Sequence, residues 1–180
     1  MGTVWFREMG GFSIRLGLEG DIPRITAVEI EAGALFESLD FPPPPEEGIH
    51  LPVDIVADGI AEERLWVAVD EEKVVVGFAL AGELGPHAHL YEIDVMPGYG
   101  RKGIGRALIA TVERWALDNG YKRLTLTTFE KVPWNGLYYQ KLGFNVIEAP
   151  AQNDALKAVL TKEREENAVA WERCAMIKAL

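Results

Sequence analysis

Cysteine occurs once in these 180 residues, at Cys174, so no intramolecular disulfide can form and no thiolate metal cluster can be built. Flanked by Arg173 and Ala175, that cysteine reads as a small core residue. The three histidines, His50, His87 and His89, are too few and too unevenly spaced for a metal site, so no metal is expected. Long apolar runs are also missing. The longest, Val74 to Gly82, falls far short of the roughly 20 residues that cross a bilayer. Met1 to Gly11 carries Arg7 and Glu8 where a signal peptide would be apolar. Basic residues are in deficit, 18 against 28 acidic ones, for a net charge of −10. Phosphate backbones demand a positive face, so this balance argues against a nucleic-acid partner. Together these absences predict a cytoplasmic protein that uses neither nucleic acid nor membrane. The acidic balance serves solubility and suits a cationic substrate.

What is present suffices for a globular core: 48% of the residues are apolar and 26% charged. The length predicts one domain over 1–180, with a core of about 12–178. The run Pro42 to Pro45 can be neither helix nor central strand and reads as an exposed connector. Phe12 to Leu16 alternates like a half-buried strand, and Asp21 and Pro23 open a helix in cap and first-turn positions. In that helix Ile25, Val28, Ala32, Leu35 and Phe36 recur at helical spacing. A short helix over Val53 to Asp58 precedes a hairpin: Leu65 to Val69, a turn at Asp70 to Lys73, then Val74 to Ala81. Leu90 to Val95 reads as a strand ended by Pro97, and Ile104 to Asn119 as an amphipathic helix stopped at Asn119-Gly120. Strand Leu124 to Thr128, helix Asn135 to Leu142, strand Phe144 to Ile147, helix Asp154 to Glu166 and strand Val169 to Ile177 complete the order. This is mixed α and β around a central hairpin, without the regular alternation of a doubly wound nucleotide fold.

Chemistry concentrates in Val95-Met-Pro-Gly-Tyr-Gly-Arg-Lys-Gly-Ile-Gly-Arg106, where a strand ends, a glycine-rich turn follows and a helix begins. Glycine lets the backbone turn tightly and present its N–H groups at close range. The unpaired N–H groups of a helix N-terminus make an anion site. Arg101, Lys102 and Arg106 add positive charge there in an otherwise acidic chain, so a phosphate-bearing ligand is expected. The P-loop pattern Gly-x4-Gly-Lys-Ser/Thr is absent. Gly98-x-Gly100-x-x-Gly103 matches the dinucleotide fingerprint literally, which leaves a dinucleotide-binding regulator as an alternative. Against it, no acidic residue ends a second strand about 20 residues on, and Tyr99, Arg101 and Lys102 are bulky for that turn.

The same stretch resembles the acetyl-CoA pyrophosphate loop of the GNAT superfamily of N-acetyltransferases: Val-x-Pro, then Gln/Arg-x-x-Gly-x-Gly/Ala opening a helix. Gly103, Ile104 and Gly105 fill the Gly-x-Gly part, while Gly100 stands in the Gln/Arg slot with Arg101 beside it, as though exchanged. Pro133-Trp-Asn-Gly-Leu-Tyr-Tyr-Gln-Lys-Leu-Gly-Phe144 resembles the second signature, Tyr-x-x-Leu-Gly-Phe after a strand and a short helix. The resemblance implies an α/β (α+β) GNAT fold: a mixed, mostly antiparallel sheet of about seven strands, flanked by helices and splayed between strands 4 and 5. It implies acetyl-CoA as acyl donor, held by Ile93, Val95, Gly100, Arg101, Lys102, Gly103, Ile104, Gly105, Arg106, Asn135 and Tyr138. Asn135 stands closer to the tyrosine than the family pattern has it, and it is also placed to cap its helix.

The implied reaction is acetyl transfer to a primary amine of a small molecule or protein, by direct attack in a ternary complex. Tyr139 matches the position that protonates the departing thiolate, with packing as its other role. For the base that takes the amine proton, His89 and Glu92 both stand open: His89 six positions before Val95, Glu92 if a bulge turns it inward. A backbone N–H near Val95 would hold the charge on the attacked carbonyl. Glu29, Glu31 and Phe36 lie on the helix where such folds build the acceptor site. A non-catalytic acetyl-CoA sensor is the other reading of the same residues, and either admits a homodimer.

Overall fold

The computed structural model describes residues 7–39, 50–132, 134–148, 151, 153–166 and 172–180. The proline run 42–45, Pro133 and the expected start of the last strand at 169–171 lie outside the described residues. Among the described residues eight strands and five α-helices follow in the order β1 (Arg7–Met9), β2 (Phe12–Leu16), α1 (Ile22–Gly33), α2 (Val53–Ala61), β3 (Leu65–Asp70), β4 (Val75–Leu84), β5 (His87–Val95), α3 (Ile104–Asp118), β6 (Arg123–Phe129), α4 (Gly136–Lys141), β7 (Asn145–Val146), α5 (Asp154–Glu166) and β8 (Arg173–Ala179). The strands form one mixed sheet in the order β1-β2-β3-β4-β5-β6-β8-β7. The β1–β2, β2–β3, β3–β4, β6–β8 and β7–β8 pairs are antiparallel, and β5–β6 is parallel. Its short ladder pairs Ala88, His89 and Leu90 with Leu124, Thr125 and Leu126. This is the expected GNAT architecture with one strand added ahead of it. Counting from β2, the parallel pair β5–β6 falls at strands 4 and 5.

The chain divides into two compact units, Met1–Ala81 with Glu92–Val112, and Gly82–Tyr91 with Glu113–Leu180. In the first, Ile25 and Val28 of α1 and Val56 of α2 pack on Leu65, Val67, Val69, Val75, Phe78 and Leu80 of the β3–β4 hairpin. These side chains recur three or four apart on the helices and on alternate positions of β3, as burial of one face requires. In the second, Leu156 and Leu160 of α5 pack with Ile147 and Ala175, flanked by Leu84 and Ile177.

Three readings are corrected. The first helix stops at Gly33 and tightens into a 3-10 turn over Ala34–Leu39, so Leu35 leaves the buried stripe of Ile25, Val28 and Ala32 and is exposed. Asp21 stands at the N-cap of α1 without capping it. Arg15 takes its carboxylate in a two-pronged ion pair (2.6 and 2.9 Å), and it also accepts the Leu18 N–H at 2.8 Å. β5 begins at His87, three residues earlier than expected, which puts His89 inside a strand. Among the described residues no helix is long and apolar enough to cross a membrane.

Candidate active site

The first unit carries the loop, Glu92, Ile93 and Val95. β5 ends where the Met96 N–H donates to Val76 O at 3.0 Å, fixing the strand end to β4. A 3-10 turn over Pro97–Tyr99 follows, closed by Tyr99 N–H to Met96 O (2.8 Å) and Gly100 N–H to Pro97 O (3.1 Å). The chain then reverses through Arg101 at φ 59° and Gly103 at φ 86° and enters α3. For Gly103 that conformation is free, whereas for Arg101 it costs about 1 kcal/mol. Gly100, by contrast, is extended (φ −60°, ψ 152°), a conformation any residue adopts. The exchange read from the sequence therefore puts the side chain on the residue that glycine suits better.

From Arg101 to Arg106 the backbone N–H groups find no acceptor among the described residues, and the first intrahelical bond is Ala107 N–H to Gly103 O at 3.0 Å. Six adjacent donors are thus left without partners among the described residues, three of them heading a 15-residue helix, where unpaired N–H groups and the helix dipole favour an anion. Arg101, Lys102 and Arg106 are exposed around these donors. Ile104 is buried and anchors the helix start.

Three carboxylates meet in the same unit, and two of them stood outside the expected base candidates. Glu92 and Asp94 share one face of β5, and Glu29 comes from α1. Burial pushes the Asp94 carboxyl well above the usual range, and the neighbouring charges of Glu92 and Glu29 push it further. Burial also raises Glu29, although both its oxygens accept the Leu51 N–H (2.8 and 3.0 Å). Glu31 is exposed and pairs with Arg24 at 3.2 Å. Among the described residues no group of three or more His, Cys, Asp or Glu is placed to hold a metal ion.

The second unit carries His89, Asn135, Tyr138 and Tyr139. His89 is only 1% exposed. Its Nδ1 lies 2.8 Å from Thr125 Oγ1, which gives its own proton to Ala88 O at 3.1 Å. The hydroxyl can therefore only accept from the ring, which fixes the proton on Nδ1. Burial lowers the imidazole from 6.5 to about 4, and its ring meets the edge of Tyr91 at 4.8 Å. Tyr139, 8% exposed, sits edge-to-face between Tyr138 (5.6 Å) and Phe144 (5.8 Å). Backbone bonds hold it there: Tyr139 N–H to Asn135 O, with Leu142 N–H and Phe144 N–H both donating to Tyr139 O. Gly136 permits this packing, because a Cβ there would overlap Glu130 O. Asn135 occupies the N-cap of α4, but its side chain makes no capping bond, so that part of its expected role is corrected. Cys174 is buried, and desolvation pushes its thiol up to about 11, as befits a core residue.

A model of the acetyltransferase (GNAT) family matches residues 33–144, more than half of the chain. The chain belongs to the GNAT acetyltransferase family. Solved GNAT structures share the fold at low identity. The PaiA N-acetyltransferase of Thermoplasma acidophilum, in complex with coenzyme A, superposes with a TM-score of 0.70 at 17% identity over 95% of this chain and 100% of that one. The ribosomal-protein-S18-alanine N-acetyltransferase of Escherichia coli gives 0.63 at 19% identity, covering 93% of each chain. The N-acetylglutamate synthase of Neisseria gonorrhoeae, complexed with coenzyme A and N-acetyl-glutamate, gives 0.69 at 17% over 96% of this chain, which spans only 36% of that one. The loop of this GNAT chain falls inside the matched segment, as do β5 and α4.

Proposed function

We propose that this acetyltransferase moves the acetyl group of acetyl-CoA to a primary amine by direct attack in a ternary complex. The observation that carries the proposal is the row of six donor N–H groups from Arg101 to Arg106 at the start of α3. Such a row fits the two charges of a pyrophosphate, and the surrounding cations strengthen it. The coenzyme A held by the PaiA and N-acetylglutamate synthase structures agrees with that ligand. Their company with the S18-alanine enzyme leaves small molecules and protein amino groups both eligible as acceptors.

In the reaction the amine nitrogen bonds to the acetyl carbon, the carbon–sulfur bond breaks, and the amine proton leaves to a base. The raised carboxyl of Asp94, beside Glu92 on the same strand face, supports that carboxylate pair as the base. His89 suits the task less well, being buried, bonded to Thr125 and lowered to about 4. Tyr139 is assigned the proton donor to the departing thiolate, and a backbone N–H at the end of β5, near Val95, the donor to the carbonyl oxygen. The test is release of free thiol from acetyl-CoA across a panel of amines. Wild type should turn over at least one amine, and Asp94→Asn should lower kcat/KM and remove the carboxylate limb of the pH profile. CoA binding without thiol release from any amine would leave only the sensor reading.

A further inference from the structure

Tyr99 stands at the last ordered turn before the donor loop, and both ends of its side chain are engaged. Its hydroxyl donates to Asp70 Oδ2 at 2.7 Å, and Lys102 Nζ lies 4.5 Å from its ring centroid, a cation–π distance. Asp70 is itself a junction. Its Oδ1 accepts the N–H groups of Glu72 (3.0 Å) and Val74 (2.9 Å), and its backbone exchanges bonds with Lys73 and Val74 across the β3–β4 turn. One carboxylate thus organises the hairpin turn and ties it to a residue 29 positions away. Only Gly100, Arg101 and Lys102 separate the tied Tyr99 from Gly103 and α3. A span that short, fixed at both ends, must turn sharply, and the turn falls on Arg101 at φ 59°. A side chain holds that conformation only where its surroundings over-determine it.

We propose that Tyr99 and Asp70 form a latch that positions the acyl-donor loop, holding Arg101 left-handed so that the N–H groups from Arg101 onward converge on one anion. Tyr99 is here a positioning residue, and the inference rests on the acetyl-CoA reading above. Released from Asp70, Tyr99 no longer fixes the near end of the span. Arg101 can then relax to negative φ and turn its own N–H and that of Lys102 away. The hydroxyl acts through the loop and not on the reacting atoms, so it should govern donor affinity and not the chemical step.

The experiment compares wild type, Tyr99→Phe, Arg101→Gly and the double variant by calorimetry with CoA, by steady-state kinetics, and by amide hydrogen exchange of the free protein. Tyr99→Phe keeps the ring beneath Lys102 and deletes only the tie. It should raise the Kd for CoA and the KM for acetyl-CoA by about three- to tenfold, the worth of one hydrogen bond. At saturating donor, kcat should stay within about twofold. In the Arg101→Gly background the same change should cost less than about twofold, because glycine needs nothing to hold it left-handed. In the free protein the N–H groups of Tyr99 and Gly100, held by Met96 O and Pro97 O, should exchange faster in Tyr99→Phe. A lower melting temperature with unchanged Kd overturns the proposal, as does an equal loss in both backgrounds. Wild type that takes no CoA would defeat the function reading and the affinity claim with it. The exchange measurement tests the latch without CoA, and unchanged exchange in Tyr99→Phe overturns it.

Discussion

His89 offers a measurement whose size follows from its surroundings. The imidazole is neutral near pH 7, with its proton on Nδ1 facing Thr125 Oγ1 and its ring 1% exposed. Charging it requires a cation inside the sheet, and burial accordingly lowers it from 6.5 to about 4. An unfolded chain binds that proton near pH 6.5, the folded one only near 4. This contribution to stability is therefore complete above about pH 6.5 and is lost as the pH falls toward 4. The gap, at about 1.4 kcal/mol per pH unit, comes to about 3 kcal/mol. Carboxylates titrate over part of the same range, so the effect should be read as a difference. His89→Gln does not titrate and retains an amide donor for Thr125. Urea unfolding of both proteins, followed by tryptophan fluorescence, should show wild type ahead near pH 7. That advantage should shrink by about 3 kcal/mol toward pH 4. Parallel stability curves would refute the reasoning and return a neutral-range His89 to the base candidates.

Asp94→Asn should stabilise the protein near neutral pH while impairing turnover. A carboxyl raised above its unfolded value contributes stability only at low pH, and loses it as the pH rises from the ordinary carboxylate range through the folded value. The check is a pH series of melting temperatures, in which the variant should lack that fall. Tyr139→Phe should lower kcat by about 10² with CoA affinity intact; a lower melting temperature with unchanged turnover would make the hydroxyl a packing partner. Gly136→Ala should cost about 1–3 kcal/mol in denaturant unfolding, because the added methyl displaces the Glu130 carbonyl. Gly103→Val should weaken CoA by more than about tenfold in calorimetry, since a β-branched residue resists φ 86° and crowds the donor N–H groups.

Local pattern made most elements legible. The hairpin turn at Asp70 to Lys73, α5 at Asp154–Glu166 and the helix start at Ile104 all rest on signals contained within a few residues. The strand Arg7–Met9 was not legible, because its three residues carry no alternation and depend on pairing with β2. The helix end at Gly33 was missed because the apolar spacing runs on through Leu35 and Phe36 while the backbone tightens. The donor loop could be read because its chemistry is backbone chemistry, announced by glycines. The carboxylate group was only half visible: Glu29 is distant in sequence from Asp94, and no spacing rule joins them. The same holds for Tyr99 and Asp70, which meet only once the hairpin and loop are folded. His89 was visible as a residue type, but its burial came from a strand that starts three residues early.

The central claim, that the N–H groups opening α3 bind the pyrophosphate of the acyl donor, can be tested directly by amide hydrogen exchange with and without saturating CoA. Arg101 to Arg106 find no acceptor among the described residues, so in free protein they should exchange fast. Added CoA should slow this stretch by about tenfold or more, and inorganic pyrophosphate should slow it less. Unchanged exchange at Arg101 to Arg106 under saturating CoA would contradict the account.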